Sequence, residues 1–318
     1  MFLYILLLII GFVILIKGAD FFVDGASSAA HHFKVSKMLI GLTIIAFGTS
    51  APEFAVSMNA LANGSTDMVL GNVIGSNIMN VLLILGIAAI IKPISIKDNT
   101  VKKELPLTML ISTLLAVLFL DIALGSGNVN EITRSDAVVI LLFFTIFLYY
   151  IIKLARKKRE SGQEDDIKVI PLGKSLLLIL IGLIGIFLGS DMVVKNASEI
   201  AYALGISERV VALTIIAFGT SLPELITTIV SSYKGEQDLL VGNIIGSNIF
   251  NICIVLGIPV AIFGTVTPSS FQVIDLVMLV SSSLALFIFA ESSRKITRAE
   301  GVIMLMSFAI YYTLVMVL

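Results

Sequence analysis

Charge is what this sequence lacks most. Asp, Glu, Lys and Arg make up 14% of its 318 residues, where an ordinary soluble domain runs near ~25%. Apolar residues make up 58% and the mean hydropathy is +1.06, more apolar surface than a water-soluble fold of this size can cover. The chain is therefore expected in lipid. Cysteine is present once, as Cys253, which excludes an internal disulfide or a multi-cysteine metal site and reads as a small core residue. Tryptophan is absent, so an interfacial aromatic belt rests on tyrosines such as Tyr4, Tyr149, Tyr150, Tyr311 and Tyr312. With 21 basic residues against 22 acidic ones, no basic reservoir is left for nucleic acid. The only histidines, His31 and His32, sit beside Lys34 and read as interfacial.

A spanning helix needs about 20 predominantly apolar residues. Cutting the chain at its polar breaks gives ten such segments: Phe2–Ala30, Met38–Ala62, Met68–Ile91, Leu105–Asp121, Ser135–Leu154, Leu172–Ala203, Val210–Ser232, Leu239–Phe263, Phe271–Glu291 and Thr297–Leu318. The one polar linker, RKKRESGQEDDIK at 156–168, divides five helices from five. The expected fold is an all-α integral membrane protein, with repeats at 1–155 and 171–318 and a linker at 156–170.

Lys and Arg prefer the cytoplasmic side of short loops. Seventeen of the 21 lie in or beside the loops after helices 1, 3, 5, 7 and 9, and two in those after helices 2, 4, 6 and 8. This predicts a multi-pass protein with both termini extracellular and the linker 156–170 cytoplasmic. The first segment ends in small residues like a secretory signal, but it lacks a basic n-region and its second half recurs later, so it reads as helix 1.

The recurrence has a fixed offset of 171 residues. Gly41–Gly86 and Ala212–Gly257 align without a gap and share 23 of 46 positions. The same offset pairs Gly18 and Asp20 with Gly189 and Asp191, and Ser36 with Ser207. Because each half holds an odd number of helices, the second copy enters the membrane from the opposite face. Such inverted repeats let secondary transporters expose a midplane site to each side in turn.

In each copy the segment AFGTSxPE (Ala46–Glu53, Ala217–Glu224) crosses the middle of an apolar helix. Pro removes a backbone donor and clashes with the carbonyl one turn back, so helices 2 and 7, and with them helices 3 and 8, are expected to break near the midplane. Freed carbonyls are tolerated there only against protein or a watery cavity. With the hydroxyls of Thr49, Ser50, Thr220 and Ser221 they form a set of hard oxygen donors, and Glu53 and Glu224 add one carboxylate each. Buried carboxylates at membrane depth cost several kcal/mol, and the motifs contain no Lys or Arg to balance them, so a cation from solution is implied. Calcium, which takes about 6–8 oxygens in flexible geometry, fits better than magnesium, and the lack of thiolate or imidazole disfavours soft metals.

The next helix of each copy carries GNVIGSNIMN (Gly71–Asn80) or GNIIGSNIFN (Gly242–Asn251). Ser76 and Asn80 share a face, as do Ser247 and Asn251, and can complete an oxygen shell. Asn72, Asn77, Asn243 and Asn248 are candidates for stapling helix ends, and the glycines for close packing. Hydroxyls also back-bond within helices. Asp20 and Asp191 read as structural, with an ion-path role as the alternative.

These residues resemble the sodium/calcium exchanger branch of the calcium/cation antiporter superfamily: paired GTSAPE and GTSLPE motifs, paired GNxIGSNIxN motifs and ten helices in a five-plus-five inverted repeat. The resemblance implies that Glu53 and Glu224 are central ligands shared by calcium and sodium, with Thr49 and Thr220 completing the calcium site. It implies an inner sodium site from Ser50, Ser76 and the Ala46 carbonyl, and an outer one from Ser221, Ser247 and the Ala217 carbonyl, with Asn80 and Asn251 flanking the middle. Several relatives, including potassium-dependent ones, carry Asp where this chain has Asn251, so potassium co-transport is not expected.

Two buried carboxylates with no ion resist crossing a low-dielectric barrier. Calcium neutralises them, and three sodium ions, the number the resemblance implies, leave one positive charge. Only loaded forms switch, which is antiport, and each cycle moves net charge. The expected function is sodium-driven calcium export across the plasma membrane by alternating access, with a proton/calcium antiporter as the alternative. The partners are calcium, sodium and the bilayer; no enzyme activity, cofactor, nucleic acid or obligatory protein partner is expected, and the chain reads as functional as a monomer. Intramembrane proteases set aspartates in GxGD, which is absent, as is HExxH, and a channel has no need of an inverted repeat.

Overall fold

The computed structural model describes residues 2–125, 127–161, 170–205, 217–268 and 273–317. The helices in chain order are α1 (Phe2–His32), α2 (Lys37–Thr49), α3 (Ala51–Ala62), α4 (Thr66–Ile91), α5 (Leu105–Phe119), α6 (Arg134–Ser161), α7 (Leu172–Ala203), α8 (Ala217–Thr220), α9 (Leu222–Lys234), α10 (Gln237–Phe263), α11 (Val273–Ser293) and α12 (Arg298–Val317). Two short strands, β1 (Ile94–Ser95) and β2 (Lys295–Ile296), pair antiparallel. Among the described residues seven helices are long and apolar enough to cross a membrane, and an eighth if α2 and α3 count as one bent span. Helix α5 has 15 residues. Most of the linker and the first part of the span expected at Val210–Ser232 lie outside the described residues.

The chain forms two compact units, one of residues 1–50 and 155–243, the other of residues 51–154 and 244–318. Each draws on both sequence repeats. In the first unit α1 and α7 pack along their lengths. A Cβ at Gly182 would lie 2.5 Å from the Phe22 amide nitrogen, and one at Gly189 would lie 2.5 Å from that of Leu15, so only glycine lets these backbones meet. The core behind the crossing holds Leu15, Phe22, Val23 and Ile186, while Ile9, Val13, Leu180 and Leu188 are exposed, as suits a lipid-facing surface. At one end Lys234 bridges Asp20 at 2.6 Å and Asp24 at 2.5 Å, and Lys37 pairs with Glu236 at 2.7 Å. Asp20 is thus tied to α9 by an ion pair, and Asp191 pairs with Lys195 at 2.9 Å. His32 lies 2.6 Å from the Ile170 carbonyl.

The second unit shows a duplicated set of clasps. Thr133 donates to Asp136 through its amide and hydroxyl, at 2.8 and 2.6 Å. Thr297 does the same to Glu300, at 2.7 and 2.8 Å. Both are capping contacts at the starts of α6 and α12. Beside them Arg134 donates to the Ile262 carbonyl at 3.2 Å and Arg298 to that of Ile91 at 3.5 Å, satisfying the carbonyl ends of α10 and α4. Ile132 pairs with Val266 as Ile296 pairs with Ile94. The residues responsible read ITRSD at 132–136 and ITRAE at 296–300, a second repeat at an offset of 164. Ser112 and Ser283 hydrogen-bond to each other at 3.1 Å.

The helix interruption expected at GTSxPE falls on its serine. Ser50, between α2 and α3, has φ −85 and ψ 6, and Ser221, between α8 and α9, has φ −88 and ψ 5. The axes of α2 and α3 meet at 45°. Pro52 and Pro223 then sit in the first turn of the following helix, where a missing N–H costs nothing. The expected breaks in helices 3 and 8 are not seen: α4 and α10 run on for 26 and 27 residues. Each instead widens into a π-turn, at Met79–Ile84 and Asn251–Leu256. Pro259 follows the second turn, but its counterpart is Ala88, so the widening follows from residues the copies share rather than from proline.

Candidate ion-binding site

The kink places each glutamate in the first turn of a new helix, Glu53 in α3 and Glu224 in α9, where the helix dipole favours a negative charge. Both are buried, at 0% and 1% exposure. In the first unit Ser50 Oγ donates to Glu224 Oε1 at 3.0 Å, so a hydroxyl of the first copy meets the carboxylate of the second. Next to it Thr49 Oγ1 donates to Asn243 Oδ1 at 3.1 Å and to the Ala46 carbonyl at 3.5 Å. That carbonyl also accepts the Ser50 amide at 3.0 Å. Asn243 stands on α10 because Gly242 packs on Gly41: a Cβ at Gly41 would lie 3.0 Å from the Gly242 Cα.

In the second unit Asn72 Nδ2 donates to the Glu53 carbonyl at 3.0 Å and to Ser57 Oγ at 2.9 Å, stapling α3 to α4. Asn80 Nδ2 donates to Asn248 Oδ1 at 3.0 Å, joining the two GNxIGSNIxN motifs. Ser76, Ser247, Asn77 and Asn251 are buried on the same helices. The amide groups of Asn77 and Asn251 have no hydrogen-bond partner among the described residues, so the repeat's symmetry is broken here: one asparagine pair is bonded and its counterpart is not.

Of the expected site residues, Ser50, Glu224, Thr49 and Ala46 thus gather in the first unit, and Asn80 and Glu53 are held in the second. Ser221 and Thr220 flank the second kink, and Ala217 opens α8. Asn72, Asn243 and Asn248 prove to be the bonding asparagines, a role their position in the repeated motif left open. Gly71 and Gly75 do not serve close packing, since a Cβ at either meets nothing within 4 Å. Among the described residues no three His, Cys, Asp or Glu gather into a metal-holding group. The donors are carboxylates, hydroxyls, amides and carbonyls, the hard oxygen chemistry of sodium and calcium.

The family described as Sodium/calcium exchanger protein matches residues 3–153 and 174–317. The chain belongs to that family. It is a transmembrane antiporter of the sodium/calcium exchanger type and not an enzyme. Inner membrane protein YrbG of Escherichia coli (strain K12) is 36% identical, over 96% of this chain and 94% of its own. Sodium/calcium exchanger MaX1 of Methanosarcina acetivorans is 31% identical over 96% of each chain. The structure of the sodium-calcium exchanger NCX_Mj soaked with 10 mM Na+ and zero Ca2+ matches with a TM-score of 0.84 at 34% identity, covering 97% of both chains. The fold is therefore that of a sodium/calcium exchanger, and its transported substrates are cations.

Proposed function

We propose that this exchanger couples sodium entry to calcium export across the plasma membrane by alternating access, moving net charge in each cycle. The observation that carries the reading is the matched pair of buried carboxylates, Glu53 and Glu224, each one turn after the same serine kink and set among hydroxyl, amide and carbonyl oxygens. In this reading both carboxylates bind the transported ions. Thr49 and Thr220 complete a calcium site; Ser50, Ser76 and the Ala46 carbonyl hold sodium on the inner side, and Ser221, Ser247 and the Ala217 carbonyl on the outer side. Asn80 and Asn251 flank the middle. The contact of Ser50 with Glu224 supports this scheme, because it brings a sodium-site hydroxyl to a shared carboxylate.

The mechanism follows from charge. With neither ion bound, the carboxylates resist transfer through a low-dielectric barrier; loaded with calcium or with three sodium ions they do not. Ten helices in two inverted halves, 1–155 and 171–318, with extracellular termini and a cytoplasmic linker at 156–170, supply the two access states, and the protein works as a monomer. Sodium-loaded vesicles containing the protein are expected to accumulate radioactive calcium when diluted into sodium-free buffer. Accumulation driven by a pH gradient alone, with no response to sodium, would replace this reading with proton/calcium antiport.

A further inference from the structure

Helix α9 continues past Glu224 with hydroxyls on the same face: Thr227 and Thr228, three and four residues on, and Ser231, seven on. All are buried, both threonines at 0% exposure. The opposite face of α9, with Leu222, Ile226 and Val230, packs on the core that α1 builds around Phe22 and Val23. The hydroxyl face is therefore turned away from α1.

Mid-helix threonines elsewhere in the chain satisfy themselves by donating to the carbonyl four residues back. Thr43 does so at 2.7 Å, Thr108 at 2.9 Å, Thr113 at 2.8 Å and Thr313 at 2.7 Å. Thr227 and Thr228 do not, and their hydroxyl oxygens have no hydrogen-bond partner among the described residues. Leaving a buried hydroxyl unsatisfied costs stability, and here two adjacent ones are left so beside a transported-ion carboxylate. The first copy offers nothing equivalent: its matching positions are Val56, Ser57 and Ala60, and Ser57 already accepts the Asn72 amide.

We propose that Thr227 and Thr228 form a hydroxyl-only sodium subsite one turn beyond Glu224, on the cytoplasmic arm of the ion path. The proposal rests on the exchange reading above and on its topology, in which the C-terminal end of α9 faces the cytoplasm. Helical rise puts Thr228 about 6 Å and Ser231 about 10 Å along the axis from Glu224, a spacing that lets a sodium ion exchange water for hydroxyls in steps. Neutral hydroxyls suit a monovalent cation, whereas calcium demands carboxylate charge. The subsite therefore discriminates for sodium, and on one face of the membrane only.

The test uses the full-length protein in sealed vesicles, with sodium and calcium varied on each face separately, for wild type, T227V/T228V and T227S/T228S. Half-saturating sodium at the cytoplasmic face is expected to rise about 3- to 10-fold in the valine variant, as the loss of one or two oxygen contacts implies. It is expected to stay unchanged at the other face, as is half-saturating calcium at both, and T227S/T228S restores the wild-type value. No change in sodium dependence, an equal rise at both faces, or a rise for calcium instead overturns the subsite. A second measurement is independent of transport: the purified valine variant needs more sodium than wild type for the same rise in unfolding temperature, and without sodium is at least as stable. Identical sodium titrations overturn the subsite even where exchange is intact; absence of sodium-driven exchange in wild type with the titration difference preserved overturns the exchange reading alone.

Discussion

Ser112 and Ser283 lie 171 positions apart and hydrogen-bond to each other, hydroxyl to hydroxyl, at 3.1 Å. That separation equals the offset between the repeated motifs, so the contact joins a residue to its own counterpart. A self-pairing contact of this kind lies on a two-fold relation between equivalent elements, which makes α5 and α11 the meeting line of the duplication in their unit. Each serine is buried and satisfies the other. Ser112→Ala and Ser283→Ala are each expected to destabilise the protein by about 1 kcal/mol, and the double variant by little more than either single one. Reversible unfolding in mixed micelles gives the cycle; additive losses would show that the two hydroxyls do not depend on each other.

The glycines divide into two classes that one substitution separates. Gly182→Ala and Gly189→Ala drive a methyl into backbone atoms of α1 at 2.5 Å and are each expected to cost about 3 kcal/mol, the upper end of ordinary overpacking. Gly71→Ala and Gly75→Ala meet nothing within 4 Å and gain helix propensity, worth up to about 1 kcal/mol. Thermal unfolding in detergent distinguishes the pairs, and equal losses in all four would refute the close crossing of α1 and α7.

The clasp at β1 and β2 carries an acid-sensitive ion pair. The Arg294 guanidinium, 2.6 Å from Asp98, and then Lys102 hold the Asp98 carboxyl below the usual carboxylate range. A lowered folded-state value means that the contribution is present above the ordinary carboxylate pKa of about 3.9 and is lost as the pH falls through the lowered one. Asp98→Asn is expected to lower the unfolding temperature slightly at neutral pH, the gap to wild type closing on acidification. Because Asp98 is solvent-exposed the effect is small; a gap that widens in acid would contradict the sign.

Much of this architecture was legible in the residues. Hydropathy marked the long apolar helices, seven of which are long enough to span among the described residues, and the repeated GTSxPE motif marked the interruptions that fall at Ser50 and Ser221, because Pro and Gly act locally on the backbone. The second repeat, ITRSD and ITRAE, is faint in the sequence because the offset shifts to 164 and only five residues carry it; its meaning lies in Thr133, Arg134, Thr297 and Arg298 bonding at matching helix ends. The widened turns at Met79–Ile84 and Asn251–Leu256 stand where breaks in helices 3 and 8 are expected; the helical face that Ser76 shares with Asn80, and Ser247 with Asn251, is legible in their spacing, whereas a local widening of the helix leaves no mark in it. The division of roles among the asparagines was also hidden: Asn72 staples α3 to α4, Asn243 receives Thr49 and Asn248 receives Asn80, although the four sit in one repeated motif. Tertiary contact, not local propensity, separates them.

The most direct test of the account is calcium uptake by sodium-loaded vesicles carrying wild type, Glu53→Gln or Glu224→Gln. Glutamine keeps the size and removes the charge that the transported cations neutralise, so wild type is expected to accumulate calcium down an outward sodium gradient while either variant falls to the level of empty vesicles. Sodium-driven uptake that survives in either variant, or wild-type uptake indifferent to sodium, would contradict it.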